Sequence, residues 1–217
     1  MRQAVRAAGW AVNILWISVL VFTITLVQSV MGLGLGLLSF GEPRFFASDG
    51  VMTMSLPLSI NNSGYYDITE FRMTTLVMDY TGKLMSNSTT SVPMVPSRHA
   101  VRGTHNISIN LHDIQSRRAT HLFFNDSTLN TETIFAMKLA YVIALQVSMN
   151  GTLPWGAPLY NLTLREPSYS LHNITHSRVS LLVSFENHSP FSVNGTMRLD
   201  FYNDKNERVG SEATSLS

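Results

Sequence analysis

After residue 50 the chain alternates apolar and polar residues with period two over much of its length, and one long apolar run precedes that region. In VMTMSLPLSI, residues 51–60, Met52, Met54, Leu56, Leu58 and Ile60 share one face, and Thr53, Ser55, Pro57 and Ser59 the other. This is the rhythm of a half-buried strand. Pro57 cannot donate to a ladder, which predicts an edge or a bulge. HNISINL repeats the pattern, with Ile107, Ile109 and Leu111 inward and Asn106, Ser108 and Asn110 outward. YNLTL sets Tyr160, Leu162 and Leu164 against Asn161 and Thr163. FAMKLAYVIALQV places Phe135, Met137, Leu139, Tyr141, Ile143, Leu145 and Val147 on one face; a helix is the alternative, and the period-two fit and aromatic content favour one long strand. Two more strands are expected over 178–186 and 193–202, and a short helix within 111–123. Turn signals stand at Thr81-Gly82-Lys83, Asn150-Gly151 and Pro154-Trp155-Gly156. The fold class is mainly β: an N-terminal transmembrane α-helix, then an antiparallel, immunoglobulin-like β-sandwich.

The apolar run covers residues 7–40 without a charge, and Asn13 and Gln28 are its strongly polar members. A bilayer core takes about 20 such residues, and a signal peptide's apolar region is roughly 7 to 15, so a retained membrane span is expected. Arg2 and Arg6 precede it, which places the N-terminus in the cytoplasm and the rest outside the cell membrane. The expected divisions are a cytoplasmic end at 1–8, a span at 9–38 and a linker at 39–50. Gly32 and Gly36 have GxxxG spacing, a candidate helix-packing surface.

Charge and composition narrow the chemistry. The formal net charge is +1 and 13% of residues are charged, so no basic field is available for nucleic acid. Asn-x-Ser/Thr acceptors begin at Asn61, Asn87, Asn106, Asn125, Asn150, Asn161, Asn173, Asn187 and Asn194, all beyond the apolar run, which predicts a heavily N-glycosylated ectodomain. The chain has no cysteine, so its core must hold without disulfides. His172 and His176 have i,i+4 spacing but flank Asn173 with no adjacent Glu, which is no zincin motif. With no nucleophile elbow and no phosphate-cradling loop, neither an enzyme, a cofactor nor a metal is expected.

Two windows resemble each other. Setting Asn61 on Asn187 brings Ser63 onto Ser189, Gly64 onto Pro190 and Tyr65 onto Phe191, and VMDYTGKLMS then meets FYNDKNERVGS. Each reads as a strand, an Asn-x-Ser-Gly/Pro corner with an aromatic anchor, and a strand-turn-strand, an internal repeat of about 126 residues. INNSGYYDIT, DYTGKL, VPSRHAVRGTHNISINL and FENHSPFSVNGTMRLDFYNDKNERVG together resemble the WHy-type late embryogenesis abundant β-sandwich, especially tandem membrane-anchored forms in archaea. The resemblance implies a first copy over 51–167, a partial second over 176–217, about seven strands per complete copy and no catalytic residues. The expected role is structural or interactive at the cell surface, with the lipid bilayer and N-linked glycans as partners. Two readings stay open beside it: a homo-oligomeric subunit of an extracellular filament or surface layer built by strand exchange, and a lipid- or small-ligand-binding sandwich. The short second copy implies completion by a longer native chain, by a neighbouring molecule or by the first sandwich.

Overall fold

The computed structural model describes residues 2–33, 36–116, 119–171 and 177–216. Helix α1 (Arg2–Leu33) is followed by β1 (Leu38–Phe40), β2 (Arg44–Ser48), β3 (Val51–Asn62), β4 (Ile68–Met78), β5 (Leu84–Val95) and β6 (His99–Asn110). Two short helices, α2 (Leu111–Ser116) and α3 (His121–Phe124), lead to β7 (Ser127–Leu139) and β8 (Ile143–Trp155). The remaining strands are β9 (Tyr160–Leu164), β10 (Ser168–Leu171), β11 (Ser177–Ser180), β12 (Val183–Glu186), β13 (Gly195–Tyr202) and β14 (Arg208–Leu216).

All pairings are antiparallel. One sheet is built on β3, with β6 along one edge and β1 and β2 in succession along the other. The second sheet has the order β5-β4-β7-β8. Alternation decides which face each strand buries: Met52, Met54, Leu58 and Ile60 of β3 and Ile107 and Ile109 of β6 are buried from the first sheet. From the second sheet, Ile68, Phe71, Met73 and Val77 of β4 and Phe135, Met137 and Leu139 of β7 are buried. The two apolar faces share two clusters. One gathers Leu58, Ile60, Phe71, Val95 and Leu139 and takes Leu26 of α1 at its border. The other gathers Met54, Val77, Ile109, Ile114, Leu122 and Trp155 and is bordered by Phe191. The helical stretch read from 111–123 thus caps one end of this core with Ile114 and Leu122.

Five expectations are revised. The strand read over 178–186 is two, β11 and β12, which pair with β10 and β9 respectively. The run 135–147 is not one strand but a hairpin, because Ala140 and Tyr141 both take left-handed φ values of 52° and 61° and Val142 N–H donates to Leu139 O. Such turns normally carry Asn or Gly, so the turn left no mark in the sequence. Asn150-Gly151 is not a turn; both lie in β8, paired with Glu132 and Thr131, and a Cβ on Gly151 would stand 3.2 Å from Thr131 Oγ1. Pro57 lies in a central strand, at the place where the neighbouring edge passes from β1 to β2 and Gly41 N–H donates to Pro57 O. In β9, Leu164 is 62% exposed rather than inward. That strand pairs with β12, not with either sheet of the main core, and a register shift there coincides with the left-handed φ of Asn161.

One polar chain crosses the interior. His105 on β6 is wholly buried; its Nε2 lies 3.0 Å from Thr75 Oγ1 and its Nδ1 2.9 Å from Thr90 Oγ1, with Thr133 Oγ1 3.2 Å beyond Thr75. Burial lowers the imidazole pKa from its ordinary 6.5, so the folded site holds the neutral ring. As pH falls below 6.5 the unfolded chain takes up a proton that the folded site refuses, and stability drops until the depressed folded value is reached. The expected slope from this one group approaches about 1.4 kcal/mol per pH unit. Denaturation at pH 7 and pH 5 checks it: wild type loses stability on acidification relative to His105→Gln, and equal losses would show that His105 is not the acid-sensitive group.

Candidate interaction site

The segment after β3 turns on Asn62, which is wholly buried. Its Oδ1 accepts from Gly64 N–H at 3.0 Å, and its Nδ2 donates to Tyr66 O at 2.9 Å and Val95 O at 3.0 Å. An amide supplies both donors and an acceptor from one side chain, which is why Asn suits a corner with freed backbone groups on each side. After β12, Asn187 makes the same local bonds: its Oδ1 accepts from Ser189 N–H at 3.0 Å and its Nδ2 donates to Phe191 O at 2.8 Å. The match is therefore Asn62 with Asn187 and Tyr66 with Phe191, one residue away from the alignment that set Asn61 on Asn187.

A second pair of turns agrees. Asp79 Oδ1 accepts from the N–H groups of Thr81 and Lys83, and Asn203 Oδ1 accepts from those of Lys205 and Glu207. In each, the first residue's N–H donates to the carbonyl four residues on, and the residue before that one is left-handed: Gly82 at 81°, Asn206 at 61°. Burial acts to raise the Asp79 carboxyl, yet the bonds from Thr81 and Lys83 outweigh it and hold the pKa below the ordinary carboxylate value.

Each corner docks on what precedes it. At the first, Tyr66 OH lies 2.6 Å from Thr25 Oγ1 of α1, the Tyr66 ring meets Phe22 edge-on at 5.5 Å, and Tyr65 N–H donates to Ser29 Oγ at 3.0 Å. Ser29 is 1% exposed, and a Cβ on Gly64 would press within 3.2 Å of it. Gly32 lies beside Ser63, and Gly36 lies past the end of α1 with φ 103°, so the two do not share a helical face.

The second corner docks on the end of the main sheets. His188 N–H donates to Ala157 O at 3.0 Å, its ring stacks on Tyr160 at 4.2 Å, and its Nδ1 and Nε2 reach Asp126 at 2.7 Å and Glu186 at 3.2 Å. The bond to Asp126, then that to Glu186, raises the His188 pKa above its ordinary value; the bonds from Ala157 N–H and His188 lower that of Asp126. Gly156 permits this contact, since a Cβ there would lie 2.0 Å from His188 O. An open cleft of about 390 Å³ beside the joint is lined by Gly50, Phe123, Leu159, Phe191, Val193 and Asn194.

The acceptor asparagines lie on the surface. Asn61, Asn87, Asn106, Asn125, Asn150, Asn161, Asn187 and Asn194 are exposed, including the outward positions read for Asn106 and Asn161. Asn125 and Asn187 already use Nδ2, the atom a glycan would take, on His121 O and Phe191 O. Asn173, His172 and His176 lie outside the described residues. Among the described residues no three His, Asp or Glu side chains gather where they could hold a metal ion. Sequence reasoning missed Ser29, Asp126 and His188, because each acts through a contact distant in the chain.

No protein-family model and no curated protein matches the chain. Solved structures that resemble it include a protein from Archaeoglobus fulgidus, at 10% identity and a TM-score of 0.38 over 54% of this chain and 97% of the other. A protein assigned to the late embryogenesis abundant class matches at 10% identity and a TM-score of 0.34, over 65% and 87%. The periplasmic chaperone SfaE matches at 14% identity and a TM-score of 0.31, over 80% and 96%. At these scores the likenesses carry no argument about family or activity.

Proposed function

We propose that this is a single-pass, N-glycosylated cell-surface protein, anchored by α1 with its N-terminus in the cytoplasm. Its role is structural or interactive rather than enzymatic, through a WHy-like β-sandwich followed by the start of a second copy. The exposure of α1 carries the reading. Its stretch Trp10–Gly32 is 23 residues long and long and apolar enough to cross a membrane, yet 6% of its most apolar window is buried. A helix that is apolar on all sides needs either a protein core or lipid around it; Leu26 and Ser29, near its end, rest on the β-domain, but residues 10–24 are exposed with no core around them. A leader removed on export would take with it Thr25 and Ser29, on which Tyr65 and Tyr66 of the first corner rest; that favours retention. The paired bonding of Asn62 with Asn187 and of Asp79 with Asn203 supports two copies of one design. The surface-assembly reading draws on the half-exposed faces of β12 and β13.

Native membranes washed with alkaline carbonate provide the test. The protein is expected to stay in the pellet and to carry glycan on Asn106 and Asn161, read by mass spectrometry. Release into the supernatant, with both asparagines unmodified, would overturn the proposal.

A further inference from the structure

We infer that the end of the β-domain formed by the β3–β4, β5–β6 and β7–β8 turns is a lipid-contact surface, immersed in the outer leaflet of the bilayer that α1 spans. That surface rests on the reading of α1 as a span and follows from where the domain touches the helix. A hydrocarbon core of about 30 Å takes about 20 helical residues. Wherever such a core is set along the 23 residues of Trp10–Gly32, it includes Phe22 and Thr25. Those two are the residues met by the Tyr66 ring and the Tyr66 hydroxyl. The first corner therefore lies at hydrocarbon depth. The other two turns are tied to it: Asp67 Oδ1 accepts from Ser97 N–H at 2.8 Å, and Asp67 O accepts from Ala140 N–H at 3.2 Å. The row Val95–Ile68–Leu139–Ile143 ends the second sheet at the same place.

What this end presents is apolar or amphipathic. Tyr141 and Val142 are 66% and 75% exposed, with exposed Met94 3.8 Å from the Tyr141 hydroxyl. Exposed Tyr65 has the Arg98 guanidinium over its ring at 5.3 Å. A hairpin tip in water normally carries Asn or Gly where φ is positive; here Ala140 and Tyr141 hold those conformations and Val142 follows them. Lipid offers no hydrogen bonds, so backbone groups within it must be satisfied by the protein. Asn62 serves Gly64 N–H and the carbonyls of Tyr66 and Val95, Ser29 Oγ accepts from Tyr65 N–H, and Leu139 O accepts from Val142 N–H. Tyrosine and arginine, with apolar bodies and polar tips, suit the headgroup boundary, where Arg98 meets lipid phosphate. The opposite end has Asp49, Thr81 and Lys83 exposed in its turns, and its Tyr80 is met edge-on by His121 at 4.9 Å. It is on that end, away from the membrane, that the second corner docks through Ala157.

The test uses the full chain reconstituted in vesicles of phosphatidylcholine and phosphatidylglycerol. Because the chain has no cysteine, a nitroxide can be attached at one introduced cysteine at a time. Its collisions with oxygen, which concentrates in lipid, are compared with its collisions with a water-soluble nickel chelate. Val142→Cys is expected to prefer oxygen, and Tyr65→Cys, on a separate turn, to agree with it. Lys83→Cys, at the opposite end, is expected to show the reverse preference. Leu20→Cys, within α1, reports the span itself and is expected to prefer oxygen. Oxygen preference at Leu20→Cys with nickel preference at both Val142→Cys and Tyr65→Cys would overturn the inference and leave the span standing. Nickel preference at Leu20→Cys would overturn the span and the lipid-contact surface together.

Discussion

Asn62→Ala is expected to destabilise the protein by about 4 kcal/mol, whereas Asn187→Ala is expected to cost about 1 kcal/mol, although the two side chains make the same local bonds. Asn62 is wholly buried, so its removal strands Gly64 N–H and the carbonyls of Tyr66 and Val95 away from water. Each buried unpaired group costs about 1 to 3 kcal/mol. Asn187 is exposed, and water replaces the amide at Ser189 and Phe191. Asn62→Asp should be as damaging as the alanine, because it keeps the acceptor but turns an oxygen toward two carbonyls. Denaturant unfolding of the detergent-solubilised protein measures all three. Equal losses at positions 62 and 187 would show that burial of the first corner is not what makes it matter.

Gly156→Ala is expected to release the second corner while leaving the main sheets folded. Gly156 does not need a left-handed backbone; what it provides is space, since a Cβ would sit 2.0 Å from His188 O and 2.5 Å from His188 C. Backbone cannot swing aside as a side chain can, so the corner must move off Ala157. Phe191, half-buried, then leaves the apolar cluster it borders, a loss of about 1.5 kcal/mol, which is about tenfold in the population of the open joint. Two readouts follow. Protease cleavage within 187–194 should accelerate about tenfold, and the His188 pKa should fall toward its ordinary value once Asp126 no longer accepts from it, the neighbouring Glu186 still holding it up in part. The sign matters: a raised folded pKa means that His188 supports the joint fully below its ordinary value of 6.5, and that this support is lost as pH rises through the raised one. In the variant that pH dependence should vanish. An unchanged His188 titration would contradict the close approach at Gly156.

How far the residues themselves disclosed the molecule can be judged from particular places. The alternation in 51–60 and 106–111 was legible because buried strands of this kind have one wet face and one dry face, and Met52, Leu58, Ile107 and Ile109 are buried as their spacing demands. The β7–β8 turn was not legible, because tertiary pairing on both sides holds Ala140 and Tyr141 in conformations their side chains do not advertise. The corner was recognisable as a motif, yet its register was not, since Asn61 and Asn62 are the same residue type and only bonding tells the structural one from the exposed one. The partners of β9 and β10 were hidden for a different reason. Strands of five and four residues carry too little pattern to name a partner: β10 pairs with the strand that follows it, β11, whereas β9 passes over both to pair with β12. The docking residues Ser29 and His188 had no local signature at all.

The most direct test of the central claim, an anchored chain with its β-domains outside the cell, is labelling of single cysteines in intact cells with a membrane-impermeant maleimide. The absence of native cysteine makes the experiment clean. Lys205→Cys, in the exposed turn before β14, should label fully without lysis, and Gln3→Cys, ahead of the apolar stretch, should label after lysis alone. Labelling of Gln3→Cys in intact cells, with Lys205→Cys protected until the membrane is broken, would contradict the account.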